Sequence, residues 1–247
     1  MNSPDQHSNG FIGYTPKADR YENTSTDSDN VAMKIASLIP QGARVLDVGC
    51  GTGSVSEIIV SVTAAELIGI EPDSERAKAA VKRGLNVVNG FLTEDFMASH
   101  GPFDVIIFAD VLEHLPDPAA IVTIAMNGLV PGGSVVASVP NIAHWFVRVD
   151  LLMGRFDYRD CGIMDSTHLR WFTRKTIAQF FERLGFEITS LGVTVNIEMQ
   201  DYHRRIPWRW VSQTQRRQLG GTLVKKFPCL FGVQHVIQAT LPKQRDV

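Results

Sequence analysis

Five short apolar runs recur between residues 43 and 140 of this 247-residue chain, with helix-like segments between them. The runs are ARVLDVG, ELIGIE, NVVNG, FDVIIFA and GSVVASVP. Helical spacing falls over about Val55 to Val62, Asp73 to Arg83 and Pro118 to Leu129. Strands that are apolar on both faces need cover on both faces, and intervening helices supply it. Right-handed crossovers then wind such a chain into an open, mostly parallel α/β sheet. The alternation lapses for about thirty residues after SVPN. It resumes with a helix near Arg174 to Leu184 and the runs FEITSLGVTV and HVIQATL. The expectation is a doubly wound, mostly parallel, seven-stranded sheet. A helix over about Asp29 to Leu38, with Val31, Ile35 and Leu38 on one face, leads into it. Residues 1–28 are rich in Ser, Asp and Asn and read as a flexible arm or lid. The domain is expected over 29–247, with an insertion at about 142–173.

The first run ends in VLDVGCGTGSVS, residues 45–56, where Gly49, Gly51 and Gly53 form G-x-G-x-G. A dinucleotide loop reads G-x-G-x-x-G and seats a pyrophosphate on the following helix N-terminus. Here Ser54 holds the third glycine's place, and Asp47 stands just before the glycines. Two phosphate charges against a partly buried carboxylate are strongly unfavourable. The ligand facing this loop is therefore uncharged or cationic there, which argues against an NAD-dependent oxidoreductase. S-adenosyl-L-methionine (SAM) meets the condition, because it has no phosphate and carries an ammonium and a sulfonium. Its carboxylate suits the helix N-terminus. Glu71, in GIEPD at the end of the second run, lies about 20 residues beyond the loop, where an acid can accept from both ribose hydroxyls.

With these residues in view, VLDVGCGTG, IGIEPD, FDVIIFADVLEHLPDP and GLVPGGSVVASVPN resemble the successive motifs of class I SAM-dependent methyltransferases. DSTHLRWFTRKTIAQFFERLGFEI resembles the back half of their small-molecule and sugar-modifying branch. The likeness covers about residues 30 to 196 and implies a Rossmann-like methyltransferase fold with SAM as donor. It implies that Gly49, Gly51 and Gly53 line the methionine end and that Asp47 lies near the amino group. Glu71 would hold the ribose, Pro72 would flank the adenine, and Ala109 and Asp110 would face the sulfonium side. Such enzymes often carry Gly-Asp after the third strand, but here the pair is Gly90-Phe91. Phe91 or Leu92 packing on the adenine, Glu94 or Asp95 substituting for the acid, and a bare surface turn all stay open.

Methyl transfer is an in-line displacement at carbon, so the protein chiefly aligns the acceptor and excludes water. An alcohol acceptor also gains from a base. His168 follows Asp165 by three residues in DSTHLRWF, a spacing at which an acid can orient an imidazole. His144, in PNIAHW just past the fifth strand, is the rival base, and His114 reads as a brace at a helix start. Arg148, Arg155, Arg159 and Arg170 offer either an anion-binding face or an ordinary charged surface. The stretch DYHRRIPWRWVSQTQRRQLGGTLVKKFP reads either as a helix covering a sheet edge or homodimer interface, or as a lipid contact.

Cys50, Cys161 and Cys229 are scattered and form no C-x-x-C pair, so no disulfide framework and no metal site are expected. Acidic and basic residues nearly balance, at a net charge of −2, so a nucleic acid is not an expected partner. The segment ADVLEH also lacks the Asn/Asp-Pro-Pro-aromatic motif common in enzymes that methylate nucleic-acid amines. MNSPDQHSNG lacks a signal peptide's apolar core, and no apolar run of about 18 residues occurs, so no transmembrane segment and a cytoplasmic location are expected. The expected activity is O-methylation of a sugar or other small polar metabolite, with cell-surface glycan synthesis suggested by family likeness alone. The acceptor is thus a small molecule, sugar-like or anionic. N-methylation of a small molecule and a non-catalytic SAM-binding regulator stand as alternatives.

Overall fold

Alternation along each central strand sends side chains to two separate cores. In β1 (Arg44–Val48), Leu46 and Val48 join one cluster and Val45 the other. In β4 (Phe103–Ala109), Ile106 and Phe108 oppose Val105 and Ile107 in the same way. In β5 (Leu129–Pro140), Val135, Ala137 and Val139 oppose Val136. Each fully buried side chain of this size contributes roughly 1.5–3 kcal/mol over its exposed state. The structure, a computed structural model, describes residues 30–195 and 210–243. The expected arm lies outside the described residues.

The sheet has seven strands in the order β3-β2-β1-β4-β5-β7-β6. The others are β2 (Glu66–Glu71), β3 (Asn86–Asn89), β6 (Glu187–Val193) and β7 (Gln234–Thr240). The strands from β3 through β5 pair in parallel, and β7 runs antiparallel to both of its neighbours. The chain therefore moves outward from β1 to β3 and returns to start β4 beside β1. That reversal opens a crevice at the C-terminal ends of β1 and β4. The loops after β1, β2, β3, β4 and β5 all end at this edge.

The helices are α1 (Val31–Ala36), α2 (Ser54–Thr63), α3 (Ser74–Lys82), α4 (Glu94–His100) and α5 (Pro118–Met126). They continue with α6 (Trp145–Leu152), α7 (Arg174–Arg183), α8 (Gln213–Lys226) and α9 (Pro228–Phe231). Local chemistry sets most starts. Asp73 accepts from the Glu75 and Arg76 N–H groups, Asp117 caps α5 ahead of Pro118, and Thr173 with Thr176 forms a capping box. Helices α4, α6 and α9 were not foreseen. α4 is too short to show a period, yet Thr93 caps it and Phe96 and Met97 enter the core. α6 opens the insertion, and its Phe146 and Val147 pack with Ile163, Met164 and Val233 in a small core of their own. Asn141, fully buried, fixes that unit to the main fold by donating to the carbonyls of Cys229 and Gly232 at 3.0 and 2.8 Å. Helix α8 lies between β6 and β7, while Arg204, Arg205, Trp208 and Arg209 fall outside the described residues. Among the described residues no helix is long and apolar enough to cross a membrane.

Candidate active site

The loop after β1 is shaped by its glycines. Gly49, Gly51 and Gly53 all have positive φ, at 70°, 58° and 81°. A side chain at Gly49 would meet Val111, and one at Gly53 would come within 2.4 Å of Leu85. Nothing lies within 4 Å of the place a Cβ on Gly51 would take. The outer two glycines thus serve packing, and the middle one leaves open space at the crevice. No side chain caps the N-terminus of α2, whose N-cap is Gly53.

Three of the strand ends carry acids. Asp47 lies beneath the loop with 1% of its surface exposed. Its Oδ2 accepts from the Ser56 hydroxyl at 2.5 Å, and its Oδ1 has no hydrogen-bond partner among the described residues. Burial, with Glu71 nearby, pushes its carboxyl up to about 7, against the pull of the Ser56 bond. Glu71 accepts from the Gly51 N–H through Oε2 at 2.8 Å and from the Asp73 N–H through Oε1 at 3.0 Å. Asn89 donates to the carbonyls of Glu71 and Pro72 at 2.8 and 3.0 Å, which fixes the turn after β2. Cys50, set among these groups, has its thiol pushed up by burial and by Asp47 and Glu71, so it is a packing residue and not a nucleophile.

At the end of β4, Asp110 holds a left-handed backbone, with φ 54°. Outside glycine such a conformation costs about 1 kcal/mol or more, so it needs restraint. Restraint is present. The Asp110 N–H donates to Ser138 Oγ at 3.0 Å, Ser138 Oγ donates back to Oδ1 at 2.9 Å, and Gln234 donates to Oδ2 at 2.6 Å. Burial raises this carboxyl to about 6, although both bonds favour its charge. Next comes a single 3-10 turn, Leu112–His114, where Glu113 is 1% exposed and its carboxyl is raised by burial and by Asp110 and Asp165.

These groups fit a phosphate-free, cationic ligand. An orphaned buried carboxylate oxygen and an open cradle at Gly51 face a set of four acids at one edge of the sheet. A separate hollow lined by Gly42, Asp104, Gly133 and Gln238 lies at the opposite ends of the strands, away from every one of them.

The sequence model of a family described as a methyltransferase domain matches residues 26–191, about two thirds of the chain. The chain belongs to the class I SAM-dependent methyltransferases. It is 36% identical over 121 residues to a ubiquinone biosynthesis O-methyltransferase of Psychrobacter cryohalolentis, covering 44% of this chain and 46% of that one. It is 40% identical over 116 residues to the protein of that name from Xylella fastidiosa, covering 43% and 46%. The chain thus spans just under half the length of these curated relatives. In fold it resembles a SAM-dependent methyltransferase from Archaeoglobus fulgidus, with a TM-score of 0.58 and 22% identity over 85% of this chain and 92% of that one.

In this methyltransferase, the donor residues named from the sequence fall at one edge of the sheet: Asp47 and the glycines after β1, Glu71 and Pro72 after β2, Ala109 and Asp110 after β4. The third-strand position divides. Phe91 is 77% exposed, so its ring offers a face for stacking, whereas Leu92 is buried in the core and has no open face. Glu94 and Asp95 form the first turn of α4.

On the acceptor side the positions differ from expectation. His144 is fully buried against Phe146, with ring centroids 4.6 Å apart, and so belongs to the interior of the insertion. His168 turns Nδ1 to the Ile163 carbonyl at 3.2 Å. Asp165 gives Oδ1 to the N–H and hydroxyl of Thr167 at 2.8 and 2.7 Å, so it shapes the loop, while a carbonyl holds the imidazole's Nδ1. His114, expected only as a brace, sits edge-on to His168 at 4.8 Å. The arginines are committed elsewhere. Arg155 and Arg159 pair with Asp150, Arg148 donates to Ala143, and Arg170 donates to the carbonyls of Leu115 and Pro116. Sequence reasoning passed over Glu113, although an acid beside a histidine just past a strand end was the available signal.

Proposed function

We propose that the chain transfers the methyl group of SAM to a hydroxyl oxygen of a small molecule. The carrying observation is the pairing of two surfaces at one edge of the sheet. The open space at Gly51, beside Asp47 and Glu71, suits the donor. The His114–His168 pair beyond β4 suits the acceptor, because a hydroxyl must lose its proton during transfer and an amine need only be neutral. Gly49, Gly51, Gly53 and Asp47 would hold the methionine part, and Glu71 the ribose. Phe91 and Pro72 would flank the adenine, and Ala109 and Asp110 would border the sulfonium. SAM supplies a methyl already activated by positive sulfur. The protein's part is alignment, exclusion of water and an exit for the acceptor proton.

Residues 141–173 would form the acceptor wall. Of its four arginines two share Asp150 and two donate to backbone carbonyls, and a sugar or other small polyol is in keeping with this wall. A second reading is an aromatic hydroxyl. Phe156, Tyr158 and Trp171 group with ring centroids 5.6–6.1 Å apart, and Phe156 and Tyr158 stay well exposed. The curated relatives are named as O-methyltransferases of ubiquinone biosynthesis, which is in keeping with transfer to oxygen. The test is conversion of SAM to S-adenosylhomocysteine with a panel of sugar, phenolic and amine acceptors. Turnover with a hydroxyl acceptor, reduced about 10²–10⁴-fold in His168→Ala, is expected. Turnover with amines alone contradicts hydroxyl transfer, and none with any class favours a binding protein.

A further inference from the structure

Glu113 and His114 occupy the turn after β4, and His168 lies in the loop that closes the insertion. The backbone stitches the two segments together. The N–H groups of Leu169 and Arg170 both donate to the Glu113 carbonyl, at 2.8 and 3.2 Å. Each imidazole has its Nδ1 against a carbonyl oxygen at 3.2 Å, His114 on Thr167 and His168 on Ile163. A carbonyl only accepts, so each Nδ1 carries a proton, and Nε2 is the nitrogen through which either ring would ligate. That is the arrangement a metal-ligating imidazole uses, with a carbonyl as its orienting partner. The Glu113 carboxylate is 99% buried, and neither oxygen has a hydrogen-bond partner among the described residues. One ligand atom from each of the three residues lies within 4.8 Å of the other two. Asp110 and Asp165 are near enough to act electrostatically on Glu113.

We propose that Glu113, His114 and His168 bind a divalent transition-metal cation whose open coordination position takes the acceptor's hydroxyl oxygen. Two imidazole nitrogens and one carboxylate select the zinc, cobalt, iron and manganese class over magnesium and calcium, which prefer oxygen ligands. Three protein ligands leave room for a fourth, as reactive sites do and closed structural sites do not. A hydroxyl bound there becomes more acidic and gives its proton to water. The resulting oxygen anion forms the O–C bond to the SAM methyl as the C–S bond breaks, its electron pair staying on sulfur. The products are the methyl ether, neutral S-adenosylhomocysteine and one proton. This role deepens the proposed methyl transfer and rests on it, but cation binding does not.

The test is titration of the chelator-treated full chain with Co²⁺ alone, followed by visible d–d absorption, with Zn²⁺ as competitor. Wild type should take up one Co²⁺ per chain, displaced by Zn²⁺. Glu113→Gln and His168→Gln should each weaken binding more than about a hundredfold, the upper end of what loss of a mere supporting group causes. Binding of S-adenosylhomocysteine by the same samples shows that the variants are folded, and His114→Asn replaces either one that is not. No saturable spectrum in wild type, or unchanged affinity in the folded variants, overturns the site. If Co²⁺ binds but removing the cation leaves turnover unchanged, the acceptor role is overturned. Failure of the methyl-transfer reading looks different, as absence of turnover in every metal state with the Co²⁺ titration intact.

Discussion

Gly51 donates its backbone N–H to Oε2 of Glu71 at 2.8 Å, across the gap between the loop after β1 and the end of β2. The bond joins the residue that keeps the crevice open to the acid proposed to hold the ribose. A carboxylate oxygen with one backbone donor still has a lone pair for a ligand hydroxyl. The loop is therefore held in shape before any donor arrives, which lowers the ordering cost of binding.

Gly51 and Gly53 should respond differently to alanine. At Gly53 a Cβ meets Leu85 at 2.4 Å and Ala80 at 3.0 Å, so Gly53→Ala should lower stability by about 1–3 kcal/mol through overpacking and strain. At Gly51 no atom is nearby, so Gly51→Ala should cost stability only about 1–2 kcal/mol through its positive φ. Its larger effect should be on SAM affinity, because the methyl enters the donor's space. Thermal melts with calorimetric titrations of both variants separate the two effects.

Donor binding should release protons in weakly acidic buffer. Asp47, raised to about 7 by burial, is partly protonated in the free protein, and a cationic donor favours its charged form. Affinity should fall as pH drops below about 7, by at most about tenfold per pH unit for one linked proton. Titrations in buffers of different ionisation enthalpy measure the protons released, and Asp47→Asn should abolish the release.

His235 adds a pH dependence of stability. It is fully buried on β7 with neither ring nitrogen partnered among the described residues, and burial, helped by the Arg174 charge, lowers it to about 4. The unfolded chain binds the proton more readily, near pH 6.5. Its contribution is present above that value and lost as pH falls through about 4, at up to about 1.4 kcal/mol per pH unit. His235→Leu should flatten the decline between pH 6.5 and 4 in denaturant unfolding and leave stability at pH 7 unchanged or higher.

Much of this was legible in the sequence because it is written in local terms. Strands such as Phe103–Ala109 are continuous apolar runs, and the glycines and acids of the donor edge sit at fixed offsets from strand ends. The acceptor side is another matter. His114 and His168 meet only because the insertion folds back, with Leu169 and Arg170 bonded to Glu113. No spacing rule covers a contact closed over that distance in sequence. In the irregular turn between Asp165 and His168, Thr167 donates to the acid's Oδ1 and the Ile163 carbonyl holds the ring's Nδ1, contacts that a three-residue spacing does not specify. Leu92 and His144 likewise looked available because burial cannot be read from strand-end position alone.

The central claim is that the loop after β1 and Glu71 hold SAM. Calorimetric titration of wild type and Glu71→Ala with SAM, and of wild type with NAD, tests it most directly. Glu71→Ala removes two charge-assisted hydrogen bonds to the ribose, each worth roughly 1.5–3 kcal/mol before water compensates. The account predicts that wild type binds SAM and not NAD, and that the folded variant binds SAM at least about tenfold more weakly. Unchanged SAM affinity in the variant, or binding of NAD in preference to SAM, would contradict it.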